Sequence, residues 1–204
     1  MKQKDIHLSN RQKQALQTRQ RLLDAGLAVF LENGFQKATI SQIIKKAKTG
    51  YGTAYVYFQN KDELFIELME DVMNRFYEVA ELSFEPKSKS EAYEMIEHQV
   101  RLFLKLAIQE REIMKVVKEA IGLSAAVNDK WLEIREKFIK RITVDVRYSQ
   151  QNGLAKLTLN AAVIARAWYY ANEMFMWEIV EKDITSIEDI VSNLTNMYTG
   201  GLYL

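Results

Sequence analysis

The sequence predicts an all-α protein: a small N-terminal head carrying a helix-turn-helix, joined to a larger C-terminal helical body. Three observations carry this. The 204 residues include one proline and eight glycines, too few breakers for a strand-and-turn fold. Apolar residues recur every three or four positions, and no stretch alternates clearly enough to read as a strand. Residues 39–64 read as two short helices about a tight turn, running into a longer third. The head is assigned to residues 1–60 and the body to residues 61–204.

Residues 1–13 are polar and basic and are expected to form a flexible arm. The first helix is expected from Gln14 to Asn33, burying Leu16, Leu23, Leu27, Phe30 and Leu31. Gly34 should end it in a left-handed conformation, with Phe35 folding back on the last turn. Thr39 caps the second helix, and Gln42 completes a capping box. Ile40, Ile43, Ile44 and Ala47 give that helix one apolar face. The turn falls at Lys48-Thr49-Gly50, with positive φ expected at Gly50.

The third helix, Tyr51 to about Phe58, has only Ala54 and Phe58 for a core face. Its other side is Tyr51, Gly52, Thr53, Tyr55, Val56 and Tyr57: aromatic, rich in hydroxyls and free of acids. Such a surface suits a nucleic-acid groove, where hydroxyls bond phosphates and rings and methyls meet base edges. Each tyrosine also admits a plainer reading, ring packed and hydroxyl wet. Asn60 then caps a fourth helix from Lys61 to about Leu82. Lys61 sits in its first turn, where a cation opposes the helix dipole. A nearby phosphate would resolve that mismatch; a solvated lysine is the alternative.

In the body, the loop Glu85–Ser90 holds the sole proline, and Ser88 with Glu91 opens a helix through about Ile108. Further helices are expected at Ile113–Ile121, Lys130–Ser149, Thr158–Val180 and Ile187–Thr199, the last capped by Thr185 with Glu188. Ser124–Asp129 reads as a break and Gln150–Gly153 as a turn. Large aromatic and Met side chains recur across these helices, either as core or as the lining of an adaptable cavity. Leu159, Val163, Ile190, Leu194, Met197 and Tyr198 stripe the last two helices; either a pair buried within the chain or an intermolecular contact would look like this.

Charge divides the chain. Residues 1–61 hold eleven Lys and Arg against three acids, a net of +8; the remainder holds 17 against 24, a net of −7. A basic first third suggests a head that binds a polyanion. No cysteine occurs, which excludes disulfides and thiolate metal sites. His98 and Glu94 share a helix face, but two ligands do not make a tight metal site. No phosphate loop or nucleophile constellation is present, so neither an enzyme nor a cofactor is expected. No apolar run is long enough to span a membrane and no signal peptide is evident, leaving the cytoplasm as the default location.

The stretch Thr39, Ile43, Ala47, Gly52-Thr53-x-Tyr55-x-Tyr57-Phe58, Lys61 and Leu64 resembles the helix-turn-helix of the tetracycline-repressor (TetR) family of bacterial regulators. The detailed match covers about the first third. The family usually has Gly where this chain has Lys48, and a larger apolar residue at Ala54. The resemblance implies a homodimeric, ligand-responsive repressor of a palindromic double-stranded DNA operator. Thr39, Ser41, Tyr51, Gly52, Thr53, Tyr55, Tyr57 and Lys61 would meet the DNA. A lipophilic or aromatic effector would lie among Phe103, Met114, Trp131, Phe138, Trp168 and Phe175. The last two helices would form the dimer contact. Two other readings remain: a helix-turn-helix regulator controlled by a protein partner, and a helical adaptor or enzyme that does not bind DNA.

Overall fold

The computed structural model describes residues 9–182 and 186–204. Among these, nine helices form in order: α1 (Asn10–Lys37), α2 (Ile40–Lys46), α3 (Tyr51–Tyr57), α4 (Lys61–Ala80), α5 (Lys89–Gln109), α6 (Arg111–Leu123), α7 (Ala125–Gln151), α8 (Ala161–Glu181) and α9 (Ile187–Leu202). The only β-type pairing among them is an isolated antiparallel bridge between Ala155 and Tyr203.

Helix α1 begins earlier than expected. Ser9 accepts from the Gln12 amide while the Gln12 side chain takes the Ser9 N–H, a complete capping box. Residues 10–13 are therefore helical, not part of an arm. Leu16 and Leu31 are exposed, so the buried stripe is narrower and runs through Leu22, Leu23, Val29 and Phe30. At Gly34 φ is positive, 72°, as the sequence suggested, but ψ is 174°, extended rather than the left-handed helical value of a cap, and a single helical turn follows it. Gly26 marks a close approach: a Cβ there would run into the Leu64 side chain, so α1 and α4 cross with almost no space between them. Phe30, Phe35 and Phe65 meet edge-on or stacked, with centroids 4.8–5.8 Å apart, and seal the head.

The turn between α2 and α3 differs from expectation. Lys48, not Gly50, takes positive φ, at 51°, while Gly50 lies at −72° in extended backbone. The hydrogen bonds explain why. Thr49 N donates to Ile44 O and Lys48 N to Lys45 O, each at 3.2 Å. This is a Schellman motif, and its geometry demands the left-handed region at the residue after the cap, Ala47.

The body is a bundle in which α7 packs on α8 and α4, and α9 packs chiefly on α5 rather than on α8. Ser124 alone breaks α6 from α7, capping α7 through Val127 N, so Ala125–Asp129 are helical. Ser186 caps α9 through Asp189 N, while the expected cap Thr185 lies outside the described residues. The far end of the bundle is tied by Lys156 N to Leu202 O, Leu204 N to Leu154 O, and the buried pair Ser149 Oγ–Tyr203 Oη at 3.0 Å.

Body and head meet where α6 packs on α1. The Glu119 carboxylate of α6 accepts from Phe35 N at 2.8 Å and Gln36 N at 3.1 Å, the free amides opening the turn after Gly34.

Candidate nucleic-acid interface and body cavity

Helix α3 buries only Ala54 among its seven residues, because Thr49, Tyr57 and Phe58 anchor its ends on the head. Tyr51, Gly52, Thr53, Tyr55 and Val56 are left exposed, Val56 at 77%. Tyr57 is half-buried against the core. No atom lies within 4 Å of where a Gly52 side chain would begin, so packing does not demand a glycine there. Ser41 is exposed in the first turn of α2.

Two expected contacts are differently used. The Thr39 hydroxyl accepts from Gln42 N at 3.2 Å and donates to Gln42 Oε1 at 3.0 Å, so the capping box engages it. The Lys61 ammonium turns inward: it donates to Phe35 O at 2.7 Å, Ala38 O at 3.0 Å and Gln36 O at 3.3 Å, and lies 4.4 Å from the Phe35 ring centre. An ammonium has three donors. Lys61 therefore compensates the open carbonyls after α1 and is corrected from a phosphate ligand to an internal clamp. Lys45 and Lys48, which the site reading passed over, are exposed and have no ion-pair partner among the described residues. Their signal was the run Lys45-Lys46-Ala47-Lys48; Lys46 is paired with Glu32.

In the body, a cavity of about 70 Å³ opens between α4, α5, α7 and α8. Phe103, Phe138 and Trp168 line it, as expected. Met114, Trp131 and Phe175 do not. Met114 is fully buried on α6, which does not reach the cavity. Trp131 stands seven residues before Phe138, about 10 Å along α7, while Phe175 follows the lining residue Asn172 by three positions and packs against the core. Trp131 is instead fully buried and donates to Glu173 at 3.0 Å, and Arg135 meets the same carboxylate at 2.9 Å. Three lining residues have polar side-chain ends that sequence reading missed: Gln99, Asp145 and Asn172. Burial pushes the Asp145 carboxyl up to about 6, against the opposing pull of Arg141.

The expected dimer stripe is also redistributed. Leu194 is 4% exposed, Ile190 is half-buried, and Tyr198 stacks on Trp168 at 4.1 Å; all three serve the protomer's own core. Leu159 is half-buried before α8, its carbonyl taken by Gln150. The α9 part of the stripe, apart from Met197, is turned into the protomer, where α9 packs chiefly on α5. Val163 and Met197, each 63% exposed, do lie outside. With Ala167, Tyr170 and Met174 on α8 and Gly200 and Leu204 near the end of α9, they leave two exposed stripes at helical spacing.

Comparison with known proteins follows this geometry. Residues 22–68 match the family described as bacterial regulatory proteins, tetR family. Residues 96–204 match the C-terminal domain of the transcriptional regulator EthR. The fatty acid metabolism regulator protein of Bacillus subtilis (strain 168) is 36% identical over 67 residues, 33% of this chain and 34% of that protein. The chain thus spans about a third of the length of that relative. UidR of Escherichia coli (strain K12) is 25% identical over 201 residues, covering 95% of this chain and 97% of UidR. A solved complex of SmeT with triclosan superposes with a TM-score of 0.71 at 17% identity, covering 92% of each chain. With both its helix-turn-helix and its C-terminal body matched, the chain belongs to the TetR family of bacterial transcriptional regulators.

Proposed function

We propose that this protein is a homodimeric repressor that binds a roughly palindromic operator and is released by a lipophilic or aromatic effector held in the cavity between α4, α5, α7 and α8. The observation that carries this reading is the outer face of α3: aromatic, hydroxyl-bearing, acid-free and exposed, beside the unpaired Lys45 and Lys48. Ser41, Tyr51 and Gly52 approach base edges. Thr53, Tyr55 and Tyr57 hold phosphates, with the α2 amino end at Thr39 offering backbone amides. Two such heads related by a dyad read half-sites in successive major grooves. The exposed stripes of α8 and α9, with Val163 and Met197 at their centre, meet their dyad copies in an isologous contact. That relatives of this fold include a regulator solved with triclosan supports an aromatic effector.

Operator binding followed by fluorescence anisotropy over a salt series tests this. Lys45→Ala and Lys48→Ala should each flatten the slope of log K against log salt by about one, weakening all sequences alike. Tyr55→Ala should weaken the operator complex at every salt concentration. Unchanged binding in all three variants would refute this placement of the DNA.

A further inference from the structure

The cavity carries a charge that an apolar effector would not need. Its walls are aromatic and aliphatic, with Phe103, Phe138, Trp168 and Tyr169 supplying four rings. Asp145 is the only ionisable acid or base of full charge at neutral pH among the lining residues. Arg141, one turn back on α7, donates to Asp145 Oδ1 at 2.5 Å. The other carboxylate oxygen accepts no hydrogen bond among the described residues. One arginine does not offset the loss of water here, since burial remains the largest influence on this carboxyl.

The cations that could greet an acidic effector are engaged elsewhere. Arg101 is bidentate to Glu188 and also meets Glu97. Arg135 holds Glu173, and Arg166 holds Glu136 through two bonds. None of the three lines the cavity. A carboxylate or acyl phosphate entering it would meet the Asp145 carboxylate, whose one partner, Arg141, lies outside the lining, and like charges at short range oppose binding. An organic ammonium meets the opposite case: a carboxylate with a vacant oxygen in a cavity lined by aromatic rings, whose faces attract cations.

We propose that the effector of this protein is a cationic aromatic or lipophilic amine, its nitrogen held by Asp145 and the rings of Trp168, Tyr169 and Phe138. The proposal rests on reading this cavity as the effector site. At about 70 Å³ the cavity admits the ammonium head; the rest of a larger ligand displaces Trp168 from its stack on Tyr198.

The test uses three small probes of one shape class on the full chain without DNA: phenyltrimethylammonium, its neutral isostere tert-butylbenzene, and benzoate. Calorimetric titration should show the ammonium binding at least tenfold more tightly than either of the others. Asp145→Asn should remove that preference while leaving the neutral probe's affinity within about twofold. Trp168→Ala should weaken the ammonium and the neutral probe together. The charge comparison in the unsubstituted protein stands even if Asp145→Asn fails to fold. Absence of ammonium binding, or neutral or anionic probes binding as tightly, overturns the proposal. Operator affinity measured with and without phenyltrimethylammonium separates this from the regulatory reading. Selective binding that leaves operator affinity unchanged supports the ammonium site and refutes release by effector.

Discussion

Lys48 is a lysine doing a glycine's task. Its φ of 51° costs a residue with a Cβ roughly 1 kcal/mol, and the glycine of the turn itself, Gly50, pointed to the wrong position. The Schellman hydrogen bonds, counted from the last turn of α2, place it at Lys48, where the family usually has Gly. Lys48→Gly should therefore raise stability by about 1 kcal/mol in chemical denaturation, while flattening the salt slope of operator binding. Asp145 makes a second prediction. Its carboxyl is raised from 3.8 to about 6, so the folded state binds the proton more tightly than the unfolded chain does. Stability from this group is full below pH 4 and is lost as pH rises to about 6. Two units correspond to roughly 3 kcal/mol; with partial exposure and screening, about 2 is expected. Denaturation at pH 4 and pH 7 should show Asp145→Asn gaining about that much on the parent protein between the two. Equal pH profiles would mean that the carboxyl is not buried in solution. Lys61 gives a third. Lys61→Met removes three hydrogen bonds to carbonyls, each charge-assisted, and should lower stability by about 2–3 kcal/mol.

Between α1 and α2, the segment from Gly34 to Ala38 is held at both ends of its peptides. Glu119 of α6 takes its N–H groups and Lys61 of α4 takes its carbonyls. Two helices of the body thus grip the connection that sets the angle of the helix-turn-helix. The sequence placed α4 at the junction, its first residue Lys61 following directly on the head. It could not point to α6, because Glu119 lies 84 residues from its partner and its charge looks like any solvated acid on a helix. Gly34→Ala would bring a Cβ within 2.7 Å of Glu119 Oε2 at a strained φ, and should destabilise by 1–3 kcal/mol. Glu119→Ala leaves α1 and α2 intact but cuts the polar link. Its expected signature is operator binding that persists while effector-driven release weakens, measured by anisotropy with and without ligand. Other elements were legible for local reasons. Capping boxes at Thr39 and caps at Asn60 and Ser88 fix three helix starts through neighbours three residues away. The early start of α1 was equally local, in Ser9 and Gln12, and was masked by the basic composition around it.

For the molecule as a whole, the fold class and the division into a basic head and an acidic body could be read from pattern and charge. Partner choice among the body helices could not. The stripe Ile187, Val191, Leu194 and Tyr198 has the period of any buried helix face, and periodicity is silent on whether α5, α8 or a second subunit covers it. In the structure α9 packs chiefly on α5, with Trp168 of α8 stacked on Tyr198. Leu194→Glu places a charge inside the protomer and should unfold it, seen as loss of helical circular dichroism. Val163→Glu with Met197→Glu alters only exposed positions and should yield a folded monomer by light scattering. A double variant that stays dimeric would remove α8 and α9 from the contact.

The tie between Leu154–Lys156 and Leu202–Leu204 also sets a timetable. On the ribosome, the head's aromatic core is complete once α4 has emerged, because Phe30, Phe35 and Phe65 lie within 36 residues of one another. The body has no such early stopping point. α5 waits for α9, whose Glu188 reaches back 87 residues to Arg101, and the far end stays open until Tyr203 finds Ser149. Through most of synthesis, then, a formed DNA-reading head trails an unclosed bundle with its apolar face uncovered. Nascent chains arrested before α9 should resist protease at the head and be cut throughout α5 to α8.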